Sequence, residues 1–488
     1  MRGVCVGEDP IACEATTSCS TPGMCDRSTG LCSSPTLVAN DLPCELDDGG
    51  DGRCDGGRCL GFPIVSLGFD HSCTITPVGK VVCWGANTYG QLGRGEDADN
   101  VAVGDGSGPS VSAAGYLPNV DGARAVATGA DGTCIISTTG GVRCWGSGLY
   151  SSNGVNTDSR ILRPPTADLS LADGFATVTA VSRVGHTCAL SDTGRISCWG
   201  ALNGLGEHGN GTSTPPRTVP ELRAANDVTP VRFGAADTAQ ALVTGLTFRF
   251  ILTNSGPVHG GITCAVIDSR GVTCWGDNEY GQLGVGDTLA RGGTPESIPA
   301  LVAPAWPTFG PGRDPRPIVS LCAGASHACA IQEGVGLRCW GDNTQGQLGY
   351  TDVASIGAVD VPLDYPPVPL GLGRVPLSVG CGLSFTCVLM ESGEVVCFGS
   401  NTNGRLGLGL SAEVRPNTRN RGPADLEPVR LGARVHSLAV GYRHSCAVTV
   451  GGIIRCWGHN GSGRLGVGHT NDIGDAPSEM PPAPVVLP

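Results

Sequence analysis

Short apolar runs alternate with polar turns along most of the chain. Runs such as IVSLG, AVATG and HSLAVG end at glycine and lead into segments of the form H-[ST/A]-C-[AT]-[LIV]. A glycine-containing turn such as SDTG or PVGK follows, and then a segment V-x-C-W-G. Apolar residues that recur every second position on both sides of a tight turn predict β-hairpins. No segment sustains the 3.6-residue apolar period of a helix, so the chain is expected to be all-β.

The pattern recurs. Fourteen cysteines form seven pairs, each separated by ten positions: Cys73 with Cys83, Cys134 with Cys144, Cys188 with Cys198, Cys264 with Cys274, Cys329 with Cys339, Cys387 with Cys397 and Cys446 with Cys456. The first members step by 54 to 76 residues, which marks a repeat architecture. Positions ten apart face each other across a hairpin centred on the turn, where Cα atoms lie ~4.5–5.5 Å apart, within reach of a disulfide. Each pair is therefore expected to form a disulfide inside its own hairpin.

The strings HTCALSDTGRISCWG and WGANTYGQLGRG closely resemble the repeat of the regulator of chromosome condensation superfamily, and N-x-x-G-[QR]-L-G recurs at Asn87, Asn278, Asn343, Asn401 and Asn460. The resemblance implies a seven-bladed β-propeller of four-stranded antiparallel blades over residues 62–488. The units depart from the pattern in places. WGSGLYSSNG and WGALNGLGEHGNG lack G-[QR]-L-G, Phe398 replaces a Trp, and an insertion-like stretch at 235–262 blurs the first strand of the fourth unit. The cysteine pairs resemble the superfamily's secreted bacterial branch. Cys322 and Cys381 fall in the innermost strands of adjacent blades and are expected to bridge the fifth and sixth, although their offsets from Gly324 and Gly382 differ by one. The terminal Val485–Leu487 is expected to pair in the blade begun by Pro63–Gly68 and so close the ring.

Residues 1–61 are different. They carry eight further cysteines among turn-forming strings with few large apolar residues, so a small module held by disulfides is expected, with its connectivity open. The 77 glycines among 488 residues suit many tight turns. A net charge of −13 with no run of basic residues argues against a nucleic-acid partner. The 24 cysteines point to an oxidising compartment, hence a secreted or cell-surface protein whose leader is not present in this chain. No stretch approaches the ~20 apolar residues of a membrane span. A monomer is expected.

No catalytic constellation is present: G-x-S-x-G on a strand-to-helix turn, the phosphate-cradling G-x-x-x-x-G-K and H-E-x-x-H are all missing. No cofactor or metal site is expected. His71, His186, His327 and His444 recur in separate blades and read as structural histidines bonded to neighbouring backbone. Six tryptophans that precede glycine read as wedges between blades. The acidic stretch Asp47, Asp48, Asp51 and Asp55 departs from a calcium loop at Gly49 and Arg58 and reads as a solvated turn.

The expected function is non-enzymatic protein binding through the unequal inter-repeat loops at 96–118, 151–172, 206–230, 287–317, 350–374 and 410–433. Trp306 and Phe309 lie in one of these loops, outside the repeat pattern, and are the candidate partner-binding residues. The alternatives are a nucleotide-exchange regulator of a small GTPase, as in the founding family, and a hydrolase or lyase with a site at the channel mouth.

Overall fold

A computed structural model describes residues 61–95, 101–120, 122–147, 160–169, 175–178, 186–200, 203–213, 230–231, 233, 237–253, 256–268, 270–301, 304–307, 316–410 and 422–488, with short strands inside 20–60. The protein is all-β. Seven antiparallel sheets of three or four strands follow one another from residue 64 onward, one for each ten-spaced cysteine pair. In the first blade the strands are Ile64–Leu67, His71–Ile75 and Val81–Gly85. The innermost strands of the later blades are Ala123–Thr128, Phe175–Val178, Ala239–Thr253, Ile318–Ala323, Pro376–Cys381 and Val435–Val440. Each packs against the blade that follows, and the last returns to Ile64–Leu67. The result is the closed ring of a β-propeller.

Alternating side chains of the second and third strands fill the space between blades. Trp84, Trp145, Trp275, Trp340, Trp457 and Phe398 are fully buried there. All seven expected disulfides are present. Cys73 is joined to Cys83, Cys134 to Cys144, Cys188 to Cys198 and Cys264 to Cys274. In the last three blades Cys329 is joined to Cys339, Cys387 to Cys397 and Cys446 to Cys456. In every pair the two residues stand directly opposite each other in the hairpin register. Their Cα atoms are 4.0–4.1 Å apart, a little closer than the separation expected for facing residues.

A further disulfide joins Cys322 to Cys381, whose Cα atoms are 5.5 Å apart, so the innermost strands of the fifth and sixth blades are covalently linked. The differing offsets do not point the two apart, because they belong to neighbouring blades and not to one ladder. Within 20–60, Pro43–Glu45, Asp51–Asp55 and Arg58–Leu60 form a three-stranded sheet, and Cys44 is joined to Cys59.

Among the described residues the outer strand of a blade comes in two pieces. The first pairs at the end of the third strand: Val103 with Gly85, Ile161 with Gly146, Arg291 with Gly276, Ile356 with Gly341 and Ile473 with Gly458. The second pairs nearer that strand's start, where Leu117, Leu169, Val231, Val368, Val429 and Val485 donate to the carbonyls of Val81, Val142, Ile196, Leu337, Val395 and Ile454. The stretches that read as inter-repeat loops thus contain the fourth strand, and their variable parts are excursions between its two anchors. The insertion-like stretch is also not a blurred strand. It lengthens the first two strands of the fourth blade into a ribbon, with Ile251 opposite Val258 and Thr253 opposite Gly256.

The expected closure is corrected by this pairing. Val485 pairs with Ile454 of its own seventh blade and not with the blade begun by Pro63–Gly68. No exchanged strand is needed, since the seventh repeat meets the first through the same bonds that join every other pair of blades. Deleting residues 483–488 is therefore expected to expose the seventh blade's edge and lower the melting temperature by only about 2–5 °C. Loss of the cooperative melt in that truncation would show that the tail closes the ring.

Candidate functional site

In five blades the described innermost strand ends at the channel, and a two-residue turn after a glycine carries the chain into the second strand; in the fourth the two strands run on into the ribbon. These turns are Phe69-Asp70, Ala130-Asp131, Ala325-Ser326, Leu383-Ser384 and Tyr442-Arg443 among the described residues. Below them, Gly68, Gly129, Gly245, Gly324, Gly382 and Gly441 line a cavity of about 110 Å³. A Cβ on Gly68 would lie 2.1 Å from the Gly129 carbonyl oxygen, so the blades converge only because these positions lack side chains. Backbone bonds tie the turns together: Phe69 N–H donates to Gly129 O at 2.9 Å, and Leu383 N–H to Tyr442 O at 2.9 Å.

The repeated residues are occupied in joining blades. The loop of one repeat reaches over the next blade, where its main-chain carbonyl accepts from the indole: Trp145 to Gln91 O, Trp275 to Glu207 O, Trp340 to Gln282 O, Trp457 to Arg405 O and Trp84 to Arg464 O. The same carbonyl accepts the hydroxyl proton of Thr133, Thr263 or Ser72, and Gln347 O that of Thr386. A hydroxyl has one proton to give. His71, His186, His327 and His444, which lie 2.7–3.0 Å from Thr133, Thr263, Thr386 and Ser72, must therefore donate through Nε2–H. These histidines bond the next blade's hydroxyl and not the backbone of their own neighbourhood, which corrects the sequence reading; His71 also meets the backbone of Gly132 in that next blade. Burial pushes His71, His186 and His327 down to about 3, with Arg464 adding to the effect on His71 and His208 on His186.

Two parts of the mouth carry charge. On one side Phe69 and Tyr442 pack with ring centroids 4.7 Å apart, and the Arg443 guanidinium lies 5.1 Å from the first ring centroid and 5.7 Å from the second. Buried Arg464 pairs with Asp70 at 2.6 Å and donates to Phe69 O, while Arg405 lies over the Phe385 ring at 5.7 Å. On the other side the third repeat reads Glu207-His208 where others read Gln-Leu or Arg-Leu. Both are buried, and Glu207 Oε1 and His208 Nε2 have no hydrogen-bond partner among the described residues. Burial, with Asp277 adding its charge, pushes Glu207 up to about 7, and burial pushes His208 down to about 4.

Only one set of three ligand-type side chains among the described residues lies close enough to share an ion: Cys322, Cys329 and Cys381. All three sulfurs are used in disulfides. No helix of the structure is long and apolar enough to cross a membrane. Trp306 lies in the outer strand of the fourth blade, its backbone paired with Val272, and Phe309 lies outside the described residues. The backbone of Trp306 is thus on a blade's outer edge and away from the channel mouth. Sequence reasoning missed the cluster at the mouth because Arg405 and Arg464 read as members of a tolerant [QR] position. The available signal was charge at a position where three repeats carry neutral Gln.

Models of the regulator of chromosome condensation (RCC1) repeat match residues 64–91, 318–347, 377–405 and 435–464, and, with a second model, residues 272–331 and 392–448. The chain is 26% identical over 417 residues to the ultraviolet-B receptor UVR8 of Arabidopsis thaliana, covering 84% of this chain and 79% of the receptor. It is 30% identical over 203 residues to the probable E3 ubiquitin-protein ligase HERC3 of Homo sapiens, covering 41% of this chain but 17% of the ligase. Among solved structures, human WBSCR16 is similar with a TM-score of 0.60 at 20% identity, over 84% of this chain and 94% of that one. Yeast RCC1 (Prp20), solved with Kap60, is similar with a TM-score of 0.57 at 17% identity, over 87% and 85%.

Proposed function

This chain is a repeat protein of the regulator of chromosome condensation superfamily, and from that premise we propose that it is a non-catalytic, protein-binding scaffold of the secreted or cell-surface type. The observation that carries the reading is the division of labour within each repeat. The residues that recur are buried and engaged in blade-to-blade bonds, whereas those that differ lie at the channel mouth and in the excursions between the two anchors of each outer strand. A stiff ring with variable surface elements is the usual construction of a recognition surface. Nine disulfides among the described residues support an oxidising compartment. The same disulfides disfavour an exchange-factor role on a small GTPase, which would require a reducing compartment.

The module at 1–61 and the propeller at 62–488 are taken as separate units. Trp306 and Phe309 remain proposed partner contacts, with Trp306 now placed on a blade's outer edge. In the Trp306→Ala, Phe309→Ala double variant, partner capture from native secretions by cross-linking is expected to fall at least about tenfold, in line with loss of an aromatic anchor. The melting temperature is expected to stay within a few degrees. A collapsed melt would make these residues core, and undiminished capture would remove them from the interface.

A further inference from the structure

The loop position that reaches over each following blade provides an internal control for the chemistry of the channel mouth. Six of these positions are described: Gln91, Glu207, Gln282, Gln347, Arg405 and Arg464. Their structural task is performed by the main-chain carbonyl, which accepts from the next blade's indole or hydroxyl whatever the side chain is. Neutral glutamine serves at three of them. The fold therefore does not require charge there, yet two successive repeats, the sixth and seventh, carry arginine.

A third arginine is near. Arg443, in the seventh blade's turn, lies close enough for its charge to act on Arg464, and Tyr442 feels both Arg443 and Arg405. Like charges brought together in a partly buried place repel, and the counter-charge is sparse. Asp70 is taken by Arg464. Asp472 is taken by His459, Asn403 and the Asn460 N–H. Arg443 has no carboxylate partner among the described residues and rests only on the faces of Phe69 and Tyr442. A partly buried guanidinium held against two aromatic rings, with no carboxylate on its fork, is an arrangement suited to a carboxylate.

Resting on the scaffold reading above, we propose that this corner of the channel mouth, where Arg443 rests on Phe69 and Tyr442 and buried Arg405 and Arg464 add positive charge nearby, seats a carboxylate of an acidic segment of a protein partner. The cavity beneath, about 110 Å³ and walled by glycine backbone, admits a side chain and not a folded element, so the partner enters by one or two residues and lies across the mouth. The aromatic rings favour peptide over a small hydrated anion, since they offer apolar contact to the stems of Glu or Asp and to neighbouring residues. In a chain of net charge −13 the attraction is local. It steers the acidic segment to this corner and away from the rest of the surface.

The test is fluorescence anisotropy of the full chain with labelled octaglutamate, with octalysine and inorganic phosphate as comparison probes. Octaglutamate is expected to bind, to weaken as salt is raised from 50 to about 300 mM, and to resist displacement by millimolar phosphate. Arg443→Gln should weaken it at least about tenfold, and Arg443→Lys less, because an ammonium keeps the charge but loses the fork. Arg405→Gln and Arg464→Gln install the residue already present at 91, 282 and 347, so both should fold and still bind more weakly. Equal binding of octaglutamate by native protein and Arg443→Gln, equal binding of octalysine, or displacement by phosphate would each overturn the proposal. If Arg443→Gln captures the native partner as well as the unchanged chain does while the double variant at Trp306 and Phe309 does not, the scaffold reading stands and the acidic-segment proposal falls.

Discussion

Complete reduction of the seven intra-blade disulfides is expected to unfold the propeller at 37 °C. Each closes a loop of about eleven residues, and the chain-entropy model assigns such a loop about 2.5–3 kcal/mol. Seven together approach about 20 kcal/mol, more than the 5–15 kcal/mol by which folded domains typically exceed their unfolded states. Strain and residual structure in the reduced chain lower that sum, but half of it is enough. The sulfurs lie within the blades, and the fourteen cysteines are almost fully buried, so reductant reaches them only when a blade opens. Loss of tryptophan fluorescence and far-ultraviolet signal should therefore lag behind addition of reductant in buffer and accelerate in mild denaturant. A single pair changed to alanine, Cys73→Ala with Cys83→Ala, should cost only about 2–3 kcal/mol in a denaturant melt. A cooperative melt at an unchanged temperature, with full reduction verified by mass, would show that packing alone holds the ring.

Acid is expected to destabilise the protein steeply below about pH 6.5, because five buried histidines must remain neutral while the ring is intact. His71, His186 and His327 are pushed down to about 3, His208 to about 4, and His444 well below its ordinary value, all chiefly by burial. In the unfolded chain each titrates near 6.5. Their folded values are depressed, so the unfolded state binds the extra protons first. The stability they contribute is fully present above 6.5 and drains away as the pH falls toward the folded values. By pH 4.5–5 the loss is on the order of 2 kcal/mol for each of His71, His186, His327 and His208, with His444 acting in the same direction. Glu207 works in the opposite sense: raised to about 7, it contributes below its ordinary range and loses that contribution as the pH rises through 7. One such group does not offset five. Melting temperatures measured from pH 8 to 4.5 should begin to fall near 6.5 and fall most steeply below about 5.5, and His327→Gln should flatten the slope by about a fifth. A flat profile over that interval would mean that these imidazoles are protonated in the folded state.

Much of this architecture was legible in the amino-acid order because it depends on local chemistry repeated many times. Period-two alternation around a glycine turn forces a hairpin, and ten-residue spacing places two cysteines opposite each other in it, whatever the rest of the chain does. Cys134 with Cys144 and Cys446 with Cys456 are the same geometry seen at two ends of the ring. Seven such units with buried tryptophans leave a ring as the way to cover each blade's faces. The tail was misread for the same reason. A P-V segment before each innermost strand looks like the first element of the next unit. Only the pairing of Leu117 with Val81, and of Val485 with Ile454, shows that it is the last element of the unit before. Sequence order alone does not tell which of two adjacent sheets a short strand joins.

The histidines and the channel mouth depended on the third dimension more completely. His444 meets Ser72 across 372 positions, and Arg464 meets Asp70 across still more, so neither bond has a trace in local spacing. The sequence alone determined the blades, their disulfides and the wedges between them, since each is set by residues within one repeat or by identical neighbours. Tertiary structure decided which charges converge. Arg405, Arg443 and Arg464 lie in different loops of two repeats, and only the convergence of the blades on the channel, over glycines without Cβ atoms, brings them near one another.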